Sequence, residues 1–496
     1  MSSKYTEFLR LSRELADLGH ARALLSWDQE TCMPRRGADE RARSIGLLAG
    51  LYHEKLTSGA LVDLVGELSA NPLDADAAAN LRLVGREQDR ALKIPQQLVV
   101  ELSETQARAH EAWVAAREKA EFGEFAPWLE RILELQGTVA SLVGYAGPVY
   151  NAFLDEYEPH ARVEEVAPLL GELRDRLLPL AQAILSKGRP RPELLEREFP
   201  TQAQEAFGRE VLADLGFDLE AGRLDVSVHP FCSALAPTDV RLTTRYNSRR
   251  MTESLFGIIH ECGHGLYEQG LPGEAMGTPV CQAVSLGIHE SQSRLWENMI
   301  GRSREFWEHY LPKLKSRFPG QLEDVGLEQF HAAVNHVEAT PVRVEADEVT
   351  YNLHILLRFE LEQQLVGGEL AVAELPQRWN DLMEDFLGIR PENDAVGVLQ
   401  DIHWSSGLIG YFPTYSLGNL YAAQFFECAR VRMPGLMRDV GRGEFSGLLG
   451  WLRDNVHSRG ARPTAGELIE EVTGAPLSTG PLMAYLEGKY GELYSL

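Results

Sequence analysis

The chain has 496 residues, of which 44% are hydrophobic and 24% are charged, proportions typical of a folded globular protein. Its formal net charge is −25. A protein that binds nucleic acid needs a basic surface, so nucleic acid is excluded as a partner. The chain lacks an apolar run of about 18 residues, so we expect no transmembrane helix and no membrane partner.

The first residues and the cysteines indicate a cytoplasmic location. The start of the chain is amphipathic and carries acids, so it lacks the apolar segment of a signal peptide. The 5 cysteines are an odd number, lie far apart and form no C-x-x-C pair. This pattern is expected of reduced thiols rather than of a disulfide framework.

Most of the chain shows the apolar spacing of amphipathic helices, and this predicts a mainly α fold. In the first part, 1–186, Ala78–Lys119 is a long helical stretch. Ser26–Glu30 is expected to break the first helix, either as a lid over a groove or as an ordinary surface loop. Further on, Phe330–Val366 has the pattern of a long helix that is interrupted near Pro341.

A small β element is predicted near 224–247. Leu224–His229 and Val240–Tyr246 alternate with period two, and prolines punctuate the residues between them. We expect these two runs to form a short antiparallel pair.

The segment directly after this element carries the sequence H-E-x-x-H. His260 and His264 are four residues apart, so a helix places both imidazoles on one face, where they can bind one zinc ion. Glu261 lies beside that face and is expected to act as general base on water. The apolar residues of the same helix form an arc opposite the histidines, which predicts that the histidines face a cavity.

A catalytic zinc site needs a third protein ligand, and two residues compete for this role. Glu290 lies past a loop rich in Gly and Pro, at a point where a helical hairpin would return it to the ion. His289 is the rival ligand. We favour Glu290, because two histidines and one glutamate form a well-attested catalytic set.

Six short segments stand in the order found in the carboxypeptidase Taq family of metallocarboxypeptidases, and the chain resembles that family. They are His229-Pro230-Phe231, Asp239-Val240-Arg241-Leu242-Thr243, His260 to His264, His289-Glu290-Ser291-Gln292, Val342-Arg343-Val344-Glu345-Ala346-Asp347 and Gly397-Val398-Leu399-Gln400-Asp401-Ile402-His403-Trp404. Trp27–Glu30 is similar to the family's N-terminal part, so the resemblance covers the whole chain. The one departure, Val342 for isoleucine, is conservative.

The resemblance implies an elongated helical body with a deep groove, similar to angiotensin-converting enzyme and neurolysin. It implies release of single residues from peptide C-termini, with broad side-chain tolerance and poor action on proline. It implies Zn²⁺ as cofactor, with Co²⁺ also possible, and a homodimer. We therefore predict one metallocarboxypeptidase domain, 1–496, in which a helical cover, 1–186, precedes a catalytic half, 193–496, that does not fold independently.

A carboxypeptidase must hold a terminal carboxylate, and the planar fork of arginine suits this ligand. Arg241 and Arg343 lie inside the family segments and are predicted to bind substrate. His403, Tyr411 and Tyr415 are predicted to donate to the oxyanion of the reaction, and the sequence does not decide which tyrosine faces the zinc.

The acids of the family segments are candidates to orient the zinc-bound histidines, or else to cap a helix or pair with arginine. They are Asp239, Asp347 and Asp401. Two other functions remain open: an oligopeptidase that cuts inside peptides with the same zinc core, and a non-catalytic helical binding protein.

Overall fold

A computed structural model describes residues 3–70, 74–189 and 191–496. The fold is mainly α, as the sequence predicts. Its helices are α1 (Ser3–Thr31), α2 (Ala38–Leu56), α3 (Gly59–Ser69), α4 (Ala75–Lys93), α5 (Gln96–Lys119), α6 (Ala126–Val143), α7 (Tyr150–Tyr157), α8 (Val163–Ser186), α9 (Thr201–Asp214), α10 (Met251–Gly270), α11 (Leu286–Arg294), α12 (Arg304–Arg317), α13 (Pro319–Leu322), α14 (Leu327–Val334), α15 (Tyr351–Gly367), α16 (Leu375–Leu387), α17 (Pro413–Arg432), α18 (Leu436–Val440), α19 (Ser446–Asn455), α20 (Ala465–Thr473) and α21 (Gly480–Tyr494). Within the described ranges, no helix is long and apolar enough to cross a membrane.

The chain forms two compact units. The first unit comprises Met1–Leu92, Pro192–Val334 and Tyr421–Leu477. The second unit comprises the three segments Lys93–Arg191, Asn335–Leu420 and Ser478–Leu496. The single-domain arrangement of a cover and a catalytic half stays a prediction.

The sheet lies in the first unit and differs from the predicted antiparallel pair. Its strands are β1 (Gly222–Val226), β2 (Cys232–Ala236) and β3 (Asp239–Thr244), in the order β1-β3-β2. β1 pairs with β3 in parallel, and β2 forms a hairpin with β3. The predicted antiparallel pairing of the two runs is wrong. Parallel strands need a crossover connection, and here the connection between β1 and β3 contains β2, which takes the antiparallel place beside β3.

The first helix is longer than predicted. α1 continues to Thr31, so the predicted break at Ser26–Glu30 is wrong, and this segment is not a lid loop. The side chain of Trp27 is buried. The guanidinium groups of Arg223 and Arg241 both contact its ring, with their Cζ atoms 4.9 and 4.5 Å from the ring centroid. These contacts fix the end of α1 on the sheet.

Two predicted helical stretches are divided. Ala78–Lys119 is interrupted between α4 and α5, because Pro95 has no N–H group and disfavours helical backbone at the preceding residue. The interruption of Phe330–Val366 is much wider than expected and extends from Asn335 to Thr350. This second interruption carries Arg343.

Candidate active site

α10 and α11 of the first unit bring three metal-binding side chains together. His260 and His264 come from α10, and Glu290 comes from α11. The ligand atoms of these three residues all lie within 4.8 Å of one another. The structure thus brings together the residues that the sequence predicts as metal ligands.

Close packing of the two helices makes this convergence possible. At Gly263, an added Cβ atom would lie 2.5 Å from the backbone oxygen of Gln292 and 2.6 Å from Cα of Ser293. Since no side chain separates the helices, Glu290 reaches the histidine face. Ser285 supports the start of α11, because its side chain accepts a hydrogen bond from the backbone N–H of Ile288.

The donor types and the distances from Glu290 to the two histidines fit a tetrahedral zinc site. Oε2 of Glu290 lies 3.6 Å from Nε2 of His260 and 3.4 Å from Nε2 of His264. Ligands about 2.0–2.2 Å from one ion in a tetrahedron are about 3.3–3.6 Å apart. Three protein ligands leave a fourth position for water, as in catalytic zinc sites.

The outer nitrogen of each histidine also has a partner. Nδ1 of His260 lies 2.9 Å from Oε2 of Glu297, and Nδ1 of His264 lies 3.1 Å from the backbone oxygen of His289. With both Nδ1 atoms acting as donors to oxygen, each Nε2 is left to bind metal.

The three acids proposed for this orienting role have other partners. Asp239 receives two hydrogen bonds from Arg241, and Asp347 accepts from the backbone of Thr350 beside the start of α15. Asp401 pairs with arginines. The sequence reasoning missed Glu297, although Glu290, Arg294 and Glu297 follow the spacing of one helical face.

His289, the rival ligand, points to a different partner. Its Nε2 lies 2.8 Å from Oε1 of Glu268. Its ring stacks on that of His264, with centroids 4.4 Å apart. His289 therefore supports a ligand rather than joining the three-residue cluster.

Burial tunes the ionisable groups of the cluster. It raises the pKa of Glu261 to about 7, which suits a general base at neutral pH. It lowers the pKa of His264 to about 3, so this imidazole is neutral and able to bind metal. Burial opposes ionisation of Glu290, but Arg294 and the two histidines outweigh this effect and hold its pKa well below the usual value.

Arg241, a predicted substrate residue, lies in the first unit on β3. Its Nε and Nη2 atoms donate to Asp239 at 2.8 and 2.9 Å, and its guanidinium group stacks on Trp27. Asp239 therefore occupies one edge of the guanidinium fork.

The other predicted residues form a second cluster, within the second unit. Arg343 donates from Nε and Nη2 to Oδ1 of Asp401 at 3.0 and 2.7 Å. Arg358, which is fully buried, donates from Nε to Oδ2 of the same carboxylate at 2.7 Å. Burial opposes ionisation of Asp401, but the two arginines outweigh it and hold its pKa far below the usual value.

His403 lies beside this carboxylate and packs against the two tyrosines. Nε2 of His403 lies 3.3 Å from the hydroxyl oxygen of Tyr415. Tyr411 packs edge-on against Tyr415 and Tyr157, at centroid distances of 5.4 and 5.1 Å. Burial lowers the pKa of His403 to about 4, which keeps the ring neutral near pH 7.

Glu362 is a buried carboxyl group that holds the chain just beyond His403. It accepts hydrogen bonds from the Tyr150 hydroxyl at 2.7 Å, from Nε1 of Trp404 at 2.9 Å and from the backbone N–H of Gly410 at 3.0 Å. Sequence reasoning did not identify this residue, since nothing in its helical segment marks one acid among several.

Glu362→Gln is expected to remove a pH dependence of stability. Burial raises the pKa of Glu362 to about 7, above that of the unfolded chain, so folding is favoured at low pH and loses stability as pH rises from about 4.3 to 7. Between about pH 5 and pH 8, the free energy of unfolding should fall by on the order of 2–3 kcal/mol more in the wild type than in the variant. Melting temperatures at both pH values test this, with the exposed Glu384→Gln as control. Parallel pH curves for the wild type and the Glu362 variant would contradict it.

The chain belongs to the carboxypeptidase Taq (M32) metallopeptidase family, whose family model matches residues 7–490. It is therefore a peptide hydrolase of the metallocarboxypeptidase class. This confirms the predicted resemblance and rejects the alternative of a non-catalytic binding protein.

Full-length relatives agree with this membership. The chain is 45% identical to thermostable carboxypeptidase 1 of Thermus thermophilus, over 99% of both chains. It is 37% identical to carboxypeptidase 1 of Bacillus subtilis, over 99% of this chain and 98% of the relative. The crystal structure of the M32 carboxypeptidase from Deinococcus radiodurans R1 matches with a TM-score of 0.98 and 42% identity, over 100% of both chains.

Proposed function

We propose that this chain is a zinc-dependent carboxypeptidase that removes single residues, with broad specificity, from the C-termini of peptides. The observation that carries the proposal is the convergence of His260, His264 and Glu290 beside the buried Glu261. Nitrogen and carboxylate donors in this number are typical of catalytic zinc, and Co²⁺ is a suitable substitute for the same donor set.

In the proposed mechanism, His260, His264 and Glu290 hold the ion. A bound zinc ion supplies Lewis acidity that polarises the scissile carbonyl and lowers the pKa of water. Glu261 takes the proton from the attacking water and passes it to the leaving amine. The tetrahedral intermediate carries an oxyanion, for which His403, Tyr411 and Tyr415 are the proposed donors.

Arg241 and Arg343 remain the proposed ligands of the substrate's terminal carboxylate. Each uses Nε and Nη2 for an aspartate. In Arg343, Nη1 also donates to the Tyr351 hydroxyl at 3.0 Å. A carboxylate ligand would therefore be bound from Nη1 and the remaining Nη2 hydrogen rather than by the fork edge that includes Nε.

Hydrolysis rates distinguish this function from that of an oligopeptidase when a peptide with a free C-terminus is compared with its C-terminally amidated form. Without the terminal charge, kcat/KM should fall by about 10²-fold, since a charge-assisted hydrogen bond to the substrate is lost. Mass spectrometry of the digests, with and without a chelator, should show a ladder of single-residue losses that the chelator abolishes. Internal cleavage of both forms at similar rates would establish the oligopeptidase instead.

The proposal also retains a homodimer as the assembly and the cytoplasm as the location. The family resemblance supports the homodimer. All five cysteines are free thiols, which supports a reducing compartment.

A further inference from the structure

The two carboxylate oxygens of Glu290 have different environments. Oε2 faces Nε2 of His260 and Nε2 of His264, at 3.6 and 3.4 Å. The Ser293 hydroxyl lies 3.0 Å from Oε2 and 2.6 Å from the backbone oxygen of Glu290, and its one hydrogen is shared between them. Oε1 instead receives a hydrogen bond from Nε of Arg294, at 2.7 Å. One oxygen is thus presented to the metal position and the other is occupied by a cation.

Arg294 also contacts the carboxylate behind the first histidine. Its Nη1 atom lies 3.5 Å from Oε2 of Glu297, the oxygen that partners Nδ1 of His260 at 2.9 Å. Arg302 reaches the other oxygen of Glu297 at 3.1 Å. Glu297 lies in a π-helical turn, Leu295–Ile300, that continues α11, and such turns are frequent at functional sites.

These contacts connect two of the three metal ligands through one side chain. From Glu290 the path runs through Arg294 and Glu297 to His260. The group is shielded from water, since the side chains of Glu290, Arg294 and Glu297 are 9%, 14% and 12% exposed. In this environment two carboxylates require cations nearby, and Arg294 and Arg302 supply them.

We propose that Arg294 is a positioning residue that keeps Glu290 a single-oxygen ligand and fixes the metal site in a four-coordinate form. The inference rests on the proposed metal site and assigns it a further determinant. Arg294 holds Oε1 with a directed N–H group and so keeps Oε2 as the oxygen that faces both histidines. Without Arg294, the carboxylate of Glu290 is able to rotate and offer both oxygens, which adds a ligand atom. Glu297, the partner of His260, also loses a contact that holds it in place.

The test compares Arg294→Gln and Arg294→Lys with the wild type and with a matched control, Arg304→Gln. Arg304 forms exposed ion pairs with Glu308 and Glu328, so its loss should leave the metal site unchanged. The dissociation constants of Zn²⁺ and Co²⁺ are measured by competition with a chromophoric chelator, and the visible absorption of the Co²⁺ protein reports coordination number. Circular dichroism checks that each apo-protein is folded.

We expect Arg294→Gln to weaken Zn²⁺ and Co²⁺ binding by about 10–100-fold, the usual effect of losing a partner of a metal ligand. Its Co²⁺ bands should fall in intensity as coordination number rises. The metal affinity of Arg294→Lys should lie between those of the wild type and Arg294→Gln, because lysine keeps the charge but not the directed fork. A merely structural arginine would alter thermal stability without changing the Co²⁺ spectrum.

Dissociation constants within twofold of wild type, together with an unchanged Co²⁺ spectrum, would overturn the inference. If Arg294→Gln does not fold, the metal affinity of Arg294→Lys is compared with that of Arg304→Lys. Equal affinities of these two variants would also overturn the inference. A wild-type protein that binds neither Zn²⁺ nor Co²⁺ would overturn the proposed function as well. Tight binding by wild type and Arg294→Gln alike would overturn only the role of Arg294.

Discussion

Replacing Glu261 by glutamine is expected to abolish peptide hydrolysis while leaving the metal in place. The three ligand atoms belong to other residues, so zinc content should remain within about twofold of wild type. The amide cannot accept a proton from water, and losing a general base typically costs 10²–10⁴-fold in rate, so kcat should fall by about that factor. Elemental analysis of the purified protein and kcat on a free-acid peptide provide the two measurements.

Glu253→Gln is the matched control, because Glu253 lies on the same helix and forms an ion pair with Arg245. It should change neither zinc content nor kcat appreciably. Near-normal turnover in Glu261→Gln would remove Glu261 from the mechanism. Loss of zinc in that variant would instead place Glu261 among the groups that hold the ion.

Asp401→Asn is expected to destabilise the second unit strongly. Asp401 neutralises Arg343 and Arg358, whose side chains are 8% and 0% exposed. An asparagine leaves two buried cations without a counter-charge, and breaking a buried pair typically costs 3–5 kcal/mol, so we expect about that loss. Thermal unfolding near pH 7 should show a melting temperature lower by several degrees.

The pH dependence of stability provides a second test of this prediction. Because the pKa of folded Asp401 is held below its usual value, its stabilising effect is present above about pH 4 and is lost as pH falls. The difference between wild type and variant should therefore shrink in acid. Asp381→Asn, which removes an exposed partner of Arg390, is the control, and equal melting temperatures for the two variants would contradict the assignment.

The sequence predicted those parts of the site that depend on local geometry. The spacing of His260 and His264 determines their common helix face. A turn rich in Gly and Pro implied that the next helix returns with Glu290, and the structure brings the three residues together. The mainly α fold and the family were predicted for the same reason, because helical periodicity and short ordered segments are readable along the chain.

The features that the sequence left open or missed depend on contacts between distant segments. The pairing of Asp401 with Arg343 and Arg358 joins three separate stretches, and no periodicity indicates which cation an acid will meet. The parallel pairing of β1 and β3 depends on β2, whose Cys232–Ala236 sequence does not alternate. The break at Pro95 was a local signal that the periodicity on both sides obscured.

Gly263 has a consequence for recognising such proteins. The familiar five-letter signature treats the residue before the second histidine as a wildcard, yet here a methyl group at that position would overlap the backbone of Gln292 and Ser293. In this architecture the position admits one amino acid. A larger residue there would require the backbones of α10 and α11 to move apart, which would draw Glu290 away from the two histidines.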